Sequence, residues 1–132
     1  MFTIVKDSIN QIICTLTEKV SINNPIYLFE FVSIQNGKKY YCIAPDVSVA
    51  NDRYNEFEIT EVSSPNPLIA EIYFDNYGFY RYTIYQQHST TNLNPANALG
   101  VLEIGQMKVL AIADSIETFN GSILAPTVFN GN

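Results

Sequence analysis

The sequence predicts an all-β protein: an antiparallel, immunoglobulin-like β-sandwich of about seven strands with an extended C-terminal arm. Three observations lead there. Asn36-Gly37 stands between two runs of aromatic and β-branched residues, the strongest short-range hairpin signal, because both turn residues tolerate positive φ. Short alternating segments recur at close spacing, with turn clusters between them and no amphipathic helical pattern. Aromatics make up 13% of the chain, as nine Tyr and eight Phe without Trp, a bias that suits pleated strands.

The hairpin comes first. A two-residue turn would set Gln35 opposite Lys38, Ser33 opposite Tyr40, Phe31 opposite Cys42 and Phe29 opposite Ala44. Alternation then places Phe29, Phe31, Ser33, Tyr40, Cys42 and Ala44 on one face, which reads as core. The other face carries Leu28, Glu30, Val32, Ile34, Lys39, Tyr41 and Ile43. It is too apolar for a purely wetted face, so cover from within the chain or from another protein is expected.

The other elements follow in order. Residues 2–5 form a short strand or an N-terminal arm, broken at Asp7-Ser8. Residues 11–20 alternate Ile12, Cys14 and Leu16 with Ile13, Thr15 and Thr17, which is a strand pattern. Asn23-Asn24-Pro25 turns the chain into the hairpin and Pro45-Asp46 ends it. Residues 53–62 are a half-buried strand, with Phe57 and Ile59 facing away from Glu56, Glu58 and Thr60. Pro65 and Pro67 make a turn cluster that no helix crosses. Residues 69–74 and 78–87 read as a second hairpin around 75–78. A polar loop, 88–100, holds one helical turn with Asn94 as cap, Pro95 at its first position and Gly100 at its end. Residues 101–104 and 106–112 return to strand, with Gly105 read as a bulge. The sandwich thus spans 1–112, with its strand core from about residue 10, and 113–132 is the arm. The arm carries the apolar islands Ile123-Leu124 and Val128-Phe129, and such islands in a tail suit docking.

The totals narrow the function classes. The chain has 132 residues, the size of one domain, and 47% of them are hydrophobic, enough for a real core. Only 15% are charged, so much of the polar surface is Asn, Ser, Thr and Gln, which leans toward protein contact. The net charge is −6 and the seven Lys and Arg are scattered, which disfavours direct binding to nucleic acid or to anionic membrane. The N-terminal stretch lacks the basic start and apolar core of a signal peptide, and no stretch reaches transmembrane length. Synthesis in a cytoplasm is the expectation. Cys14 and Cys42 sit in predicted strands, where free buried thiols are favoured, and a disulfide is left open.

Chemistry finds little purchase. The sole histidine, His88, lies in the polar loop with no acid or serine fixed beside it. One His and two strand cysteines do not make a zinc site. Asp46, Asn51 and Asp52, and the pair Asp75-Asn76, read as turn residues rather than calcium ligands. Glu56 and Glu58 share a strand face, where a solvated acidic face is commoner than a catalytic pair. No Gly-rich phosphate loop occurs. No enzyme, cofactor or metal is expected. A carbohydrate-binding module is the alternative that the tyrosines raise.

A set of strand motifs carries a resemblance. Thr15-Leu16-Thr17-Glu18-Lys19, Pro25-Ile26-Tyr27-Leu28-Phe29-Glu30-Phe31, Ser48 through Arg53-Tyr54-Asn55-Glu56-Phe57, residues 78–87 and residues 102–110 together resemble small virion proteins from tailed phages of Bacteroidota, including crAss-like phages. The likeness spans roughly residues 10 to 112. It implies a structural part of a virion, made in the host cytoplasm and present in many symmetric copies. An auxiliary or decoration protein of the capsid is favoured, with a tail or neck protein behind it. Partners would be other virion proteins, with no direct nucleic acid and no membrane. The interface candidates are then Leu28, Val32, Ile34, Tyr41 and Ile43, the loop from His88 to Leu99, and Ile123, Leu124, Val128 and Phe129 of the arm.

Overall fold

The computed structural model describes residues 2–49 and 54–111. The arm residues Ile123, Leu124, Val128 and Phe129 lie outside the described residues. Among the described residues eight strands form two sheets: β1 (Phe2–Val5), β2 (Ile9–Cys14), β3 (Ile26–Ser33), β4 (Lys39–Ala44), β5 (Asn55–Glu61), β6 (Glu71–Ile72), β7 (Gly78–Gln87) and β8 (Gly100–Leu110). The large sheet runs β1-β8-β7-β3-β4 and the small one β2-β5-β6. Most pairs are antiparallel, but β1 runs parallel to β8 and β5 parallel to β6. The chain changes sheet at the Asp7-Ser8 turn, between β1 and β2, where Asp7 holds φ 59°.

Aromatic rings from both sheets make the core. Phe57 of β5 meets Tyr27 and Phe29 of β3 edge-on, with ring centroids 5.2 and 5.0 Å apart. Phe74 stands edge-on to Phe31 at 5.4 Å and to Tyr80 at 5.0 Å. Such edge-to-face pairs add about 0.5–1.5 kcal/mol beyond their burial. The Tyr80 hydroxyl donates to the Asn76 carbonyl at 2.8 Å, from near the start of β7. That tie has the form of a tyrosine corner, which periodicity alone does not reveal. Cys14 and Cys42 are both free. Burial pushes each thiol up to about 12, with the Glu103 and Asp46 carboxylates adding to the effect on Cys14.

The β3–β4 hairpin exists, but its register differs from the expected one by two residues. Phe31 pairs with Tyr40, Phe29 with Cys42 and Tyr27 with Ala44. The reason is the turn. A type I′ turn needs positive φ at both central residues. Here Gly37 has φ +75° and Asn36 does not join it. Gly37 N–H instead donates to Ser33 O at 2.8 Å, and Ser33 N–H to Lys38 O at 2.9 Å, closing a four-residue loop. A slip of two preserves side-chain parity, so both faces are as expected.

Other expectations need correction. Residues 69–74 do not pair with β7; the two residues of β6 add to β5 in the other sheet. Residues 73–77 therefore form a corner between sheets. A buried carboxylate fastens it: Glu61 accepts from Asp7 N–H and from Phe74 N–H, each at 2.9 Å, and meets Lys6 Nζ at 3.0 Å. Lys6 also donates to the Phe74 carbonyl. The strand expected over 11–20 stops at Cys14 and gives way to a 3-10 turn, Thr17–Lys19. Asn55 causes this, because its Oδ1 accepts from Leu16 N–H at 2.7 Å and Thr17 N–H at 3.2 Å, taking those donors out of any ladder.

Gly105 is not a bulge. The irregularity falls earlier, where Ile84 pairs with Glu103 but Tyr85 with Val101. Gly105 sits opposite Tyr82, whose ring lies across it. A Cβ there would come within 2.5 Å of Tyr82 Oη and 2.6 Å of Cζ. The ring cannot swing aside: Phe2 packs on it at 4.3 Å and its hydroxyl donates to Glu103 at 2.5 Å. Gly105→Ala is therefore expected to destabilise the fold by about 1–3 kcal/mol, as an overpacked core does. In a Tyr82→Leu background the same change should cost far less. Urea midpoints of the four chains measure this, and equal penalties in both backgrounds would exclude the clash.

Candidate functional site: the outer face of the large sheet

The small sheet covers one face of the large sheet. The other face carries Leu28, Glu30 and Val32 from β3, Tyr41 and Ile43 from β4, Phe79, Arg81, Thr83 and Tyr85 from β7, and Val101, Ile104, Gln106 and Lys108 from β8, with Lys108 Nζ 5.5 Å from the Phe79 ring centre. The bulge matters here. Plain alternation would put Val101 and Ile104 on opposite faces, whereas the extra residue, Leu102, turns inward and leaves both outside. Val101 is 54% exposed, Ile104 62% and Phe79 47%.

The five expected interface residues of the described chain divide. Leu28 and Ile43, cross-strand neighbours, are buried, so neither is a contact surface. This corrects the expectation for both. Each lies on the outer face, but Leu28 pairs on its other side with Tyr85, so large neighbours close over the middle of the sheet. Val32 and Tyr41 are half-buried and Ile34 is exposed in the turn. Residues missed from sequence are Val101, Ile104 and Phe79, together with the half-buried Tyr85.

Charges are placed within this apolar field. Glu30 stands at its centre and accepts from the Tyr85 hydroxyl at 3.2 Å. Burial, then the Glu30 carboxylate, pushes the Tyr41 and Tyr85 hydroxyls up, so both stay protonated. Arg81 and Lys39 flank Val32 on its two sides and point to solvent. Apolar side chains around a few fixed charges are the ingredients of a protein-contact surface. They do not assemble a nucleophile with a base.

The other candidates are simpler. His88 is exposed. The loop after it is organised by the buried Gln87, whose Nε2 donates to the Ser89 and Asn92 carbonyls at 3.0 Å each and whose Oε1 accepts from Asn92 Nδ2 at 2.8 Å. The 3-10 turn Pro95–Asn97 forms with Asn94 capping Ala96 N–H at 3.0 Å, and Leu99 beyond it is exposed. An open apolar depression of about 500 Å³ lies between Ile26, Tyr27, Pro45, Leu68 and Ile69, with Asp46 on its wall. Asp46 is already engaged by Ser48 N–H at 2.9 Å, Glu56 N–H at 3.1 Å and Asn55 Nδ2 at 2.7 Å. Of the exposed tyrosines, Tyr73 and Tyr77 stand over Lys6 Nζ, at 4.1 and 5.8 Å from ring centre. Among the described residues no three His, Cys, Asp or Glu are grouped to hold a metal. Among them also, no helix is long and apolar enough to cross a membrane.

No family model matches the chain, and no curated protein does. One solved structure is similar, a putative glycoside hydrolase from Bacteroides vulgatus, with 10% sequence identity and a TM-score of 0.43. The alignment covers 84% of this chain and 16% of that one. At that distance the likeness carries no functional argument.

Proposed function

We propose that this chain is a structural component of a tailed-phage virion, an auxiliary or decoration protein of the capsid that works by packing against other virion proteins. Two lines support the reading. The strand motifs between about residues 10 and 112 resemble those of small virion proteins. The single observation that carries it is the exposed apolar pair Val101 and Ile104, in adjacent rows on the outer face of the large sheet, with Phe79 exposed two rows beyond. Exposed apolar side chains on an open sheet face are a mark of protein contact. Repetition in a symmetric shell would let one such patch serve every copy.

The paired change Val101→Asp, Ile104→Asp tests this. Both side chains are exposed, so the fold should hold to within about 0.5 kcal/mol. Incorporation into purified particles, read by quantitative mass spectrometry, should fall about 30-fold if these are contact hot spots. Equal incorporation of variant and wild type, or absence of the wild type from particles, would overturn the proposal. Labelling the chain in intact particles places it on the capsid, as proposed, or on the neck or tail, which would overturn the capsid assignment.

A further inference from the structure

The small sheet ends in an open strand. Glu61 N–H donates to Ser8 O at 3.0 Å, which puts the bonded β2–β5 pairs at Asn10, Ile12 and Cys14. The N–H and C=O groups of Ile9, Gln11 and Ile13 therefore point away from β5, along the free edge. Among the described residues no strand lies beyond them. Natural sheets blunt such edges with charge, proline, bulges or cover. β2 reads Ile-Asn-Gln-Ile-Ile-Cys, with neither charge nor proline, and Ile9 and Ile13 are 68% and 56% exposed.

The other edges are shorter, charged or partly capped. In β1, Lys6 N–H bonds to Leu110 O, so the even-numbered residues face β8 and Val5 faces outward. Val5 is capped by one side chain: its N–H donates to Asn10 Oδ1 at 2.8 Å and its carbonyl accepts from Asn10 Nδ2 at 3.1 Å. That amide imitates a neighbouring strand. β4 begins with Lys39 and packs against the 3-10 turn Pro67–Ile69. β6 is two residues long. β2 alone is left long, uncharged and open.

The chain's exit lies close by. β8 ends beside Val5 and Lys6, at the turn that leads into Ile9. The 21 residues 112–132 follow, with Asp114 and Glu117 as their only charged side chains and with Ile116, Phe119, Ile123, Leu124, Val128 and Phe129 among them. The gap between packed sheets is about 10 Å, and a six-residue edge is about 20 Å long. Roughly ten extended residues cover both, so 21 suffice. At the far end of β2, Phe2 and Cys14 are only partly buried against the core and await cover.

We propose that the C-terminal segment 112–132 adds, within the same molecule, as a further strand on the free edge of β2, parallel to it. Its backbone takes up the outward groups of Ile9, Gln11 and Ile13, and its inward side chains cover Phe2 and Cys14. Starting beside the edge gives the segment a high effective concentration there, which a second copy must match from solution. The arm then docks on its own domain rather than on a neighbour.

Residue-resolved amide exchange on the full chain tests the proposal, with Phe57 and Ile84 as interior references. In the wild type, the Ile9, Gln11 and Ile13 amides should exchange about 100-fold or more slower than free-chain rates. In a full-length variant with Ile116→Asp, Phe119→Asp, Ile123→Asp and Leu124→Asp they should speed up about tenfold or more, while the references stay unchanged. Alkylation of Cys14 should speed up in the same variant, and a chain ending at Ala111 should behave likewise. Fast exchange at the three amides in the wild type would overturn the proposal. So would protection that survives the four substitutions, or protection that rises with protein concentration, the mark of a strand given by a second copy.

Discussion

Glu61→Leu is expected to lower the unfolding free energy by about 3–5 kcal/mol, the cost of leaving one member of a buried ion pair alone. Glu61 is fully buried, and Lys6 reaches it at 3.0 Å with 12% of its own side chain exposed. The carboxylate also takes two backbone donors, Asp7 N–H and Phe74 N–H. Losing it strands a cation and two amides where water has little access. The damage should be local in origin and global in effect, because these groups join the β1–β2 turn to the corner before β7. The double change Lys6→Met, Glu61→Leu should lose less than the sum of the single changes, since it removes the orphaned charge. A coupling above about 1 kcal/mol from denaturant midpoints would fit two groups in contact. A loss under about 1 kcal/mol for Glu61→Leu would mean that aromatic packing around Phe74 holds the corner without the carboxylate.

Asn55→Ala should follow closely, at about 3 kcal/mol. Asn55 is buried, and its oxygen holds Leu16 N–H and Thr17 N–H. Each buried donor left without a partner costs about 1–3 kcal/mol. Its amide also donates to Asp46 at 2.7 Å. Partial burial alone would raise the Asp46 carboxyl, but the N–H bonds from Ser48 and Glu56 and the Asn55 amide outweigh it and hold the group below its ordinary value. A carboxyl depressed by folding adds stability above its unfolded pKa of about 3.9, and that stability is lost as the pH falls through the folded value. The stability gap between wild type and Asp46→Asn should therefore be widest near neutrality and narrow below about pH 4. A gap that stays constant from pH 7 to pH 3 would sink this account.

The sequence declares strands better than it declares neighbours. Asn36-Gly37 announced the hairpin and parity sorted its faces, because both are local. The register was not legible, because Gly37 enters the left-handed region without Asn36. Residues 69–74 look like half of a hairpin, yet the buried Phe74 and the Glu61 carboxylate bend them to the other sheet. Glu61 lies 13 residues before Phe74, and the rings that enclose Phe74, such as Phe31 and Tyr40, lie further off still. Leu28 and Ile43 were placed on the outer face correctly, but their cover by cross-strand neighbours depends on register. Val101 and Ile104 were missed because Leu102, not Gly105, carries the irregularity of β8.

The parallel pairing of β1 with β8 has a consequence for how the molecule comes into being. Phe2 lies beside Met107, so β1 must wait until β8 has been made before it finds its place. Ring closure over so long a chain is entropically uphill and slow. Until β8 arrives Ile4, which ends fully enclosed, stays wet, and exposed apolar side chains of that kind favour aggregation.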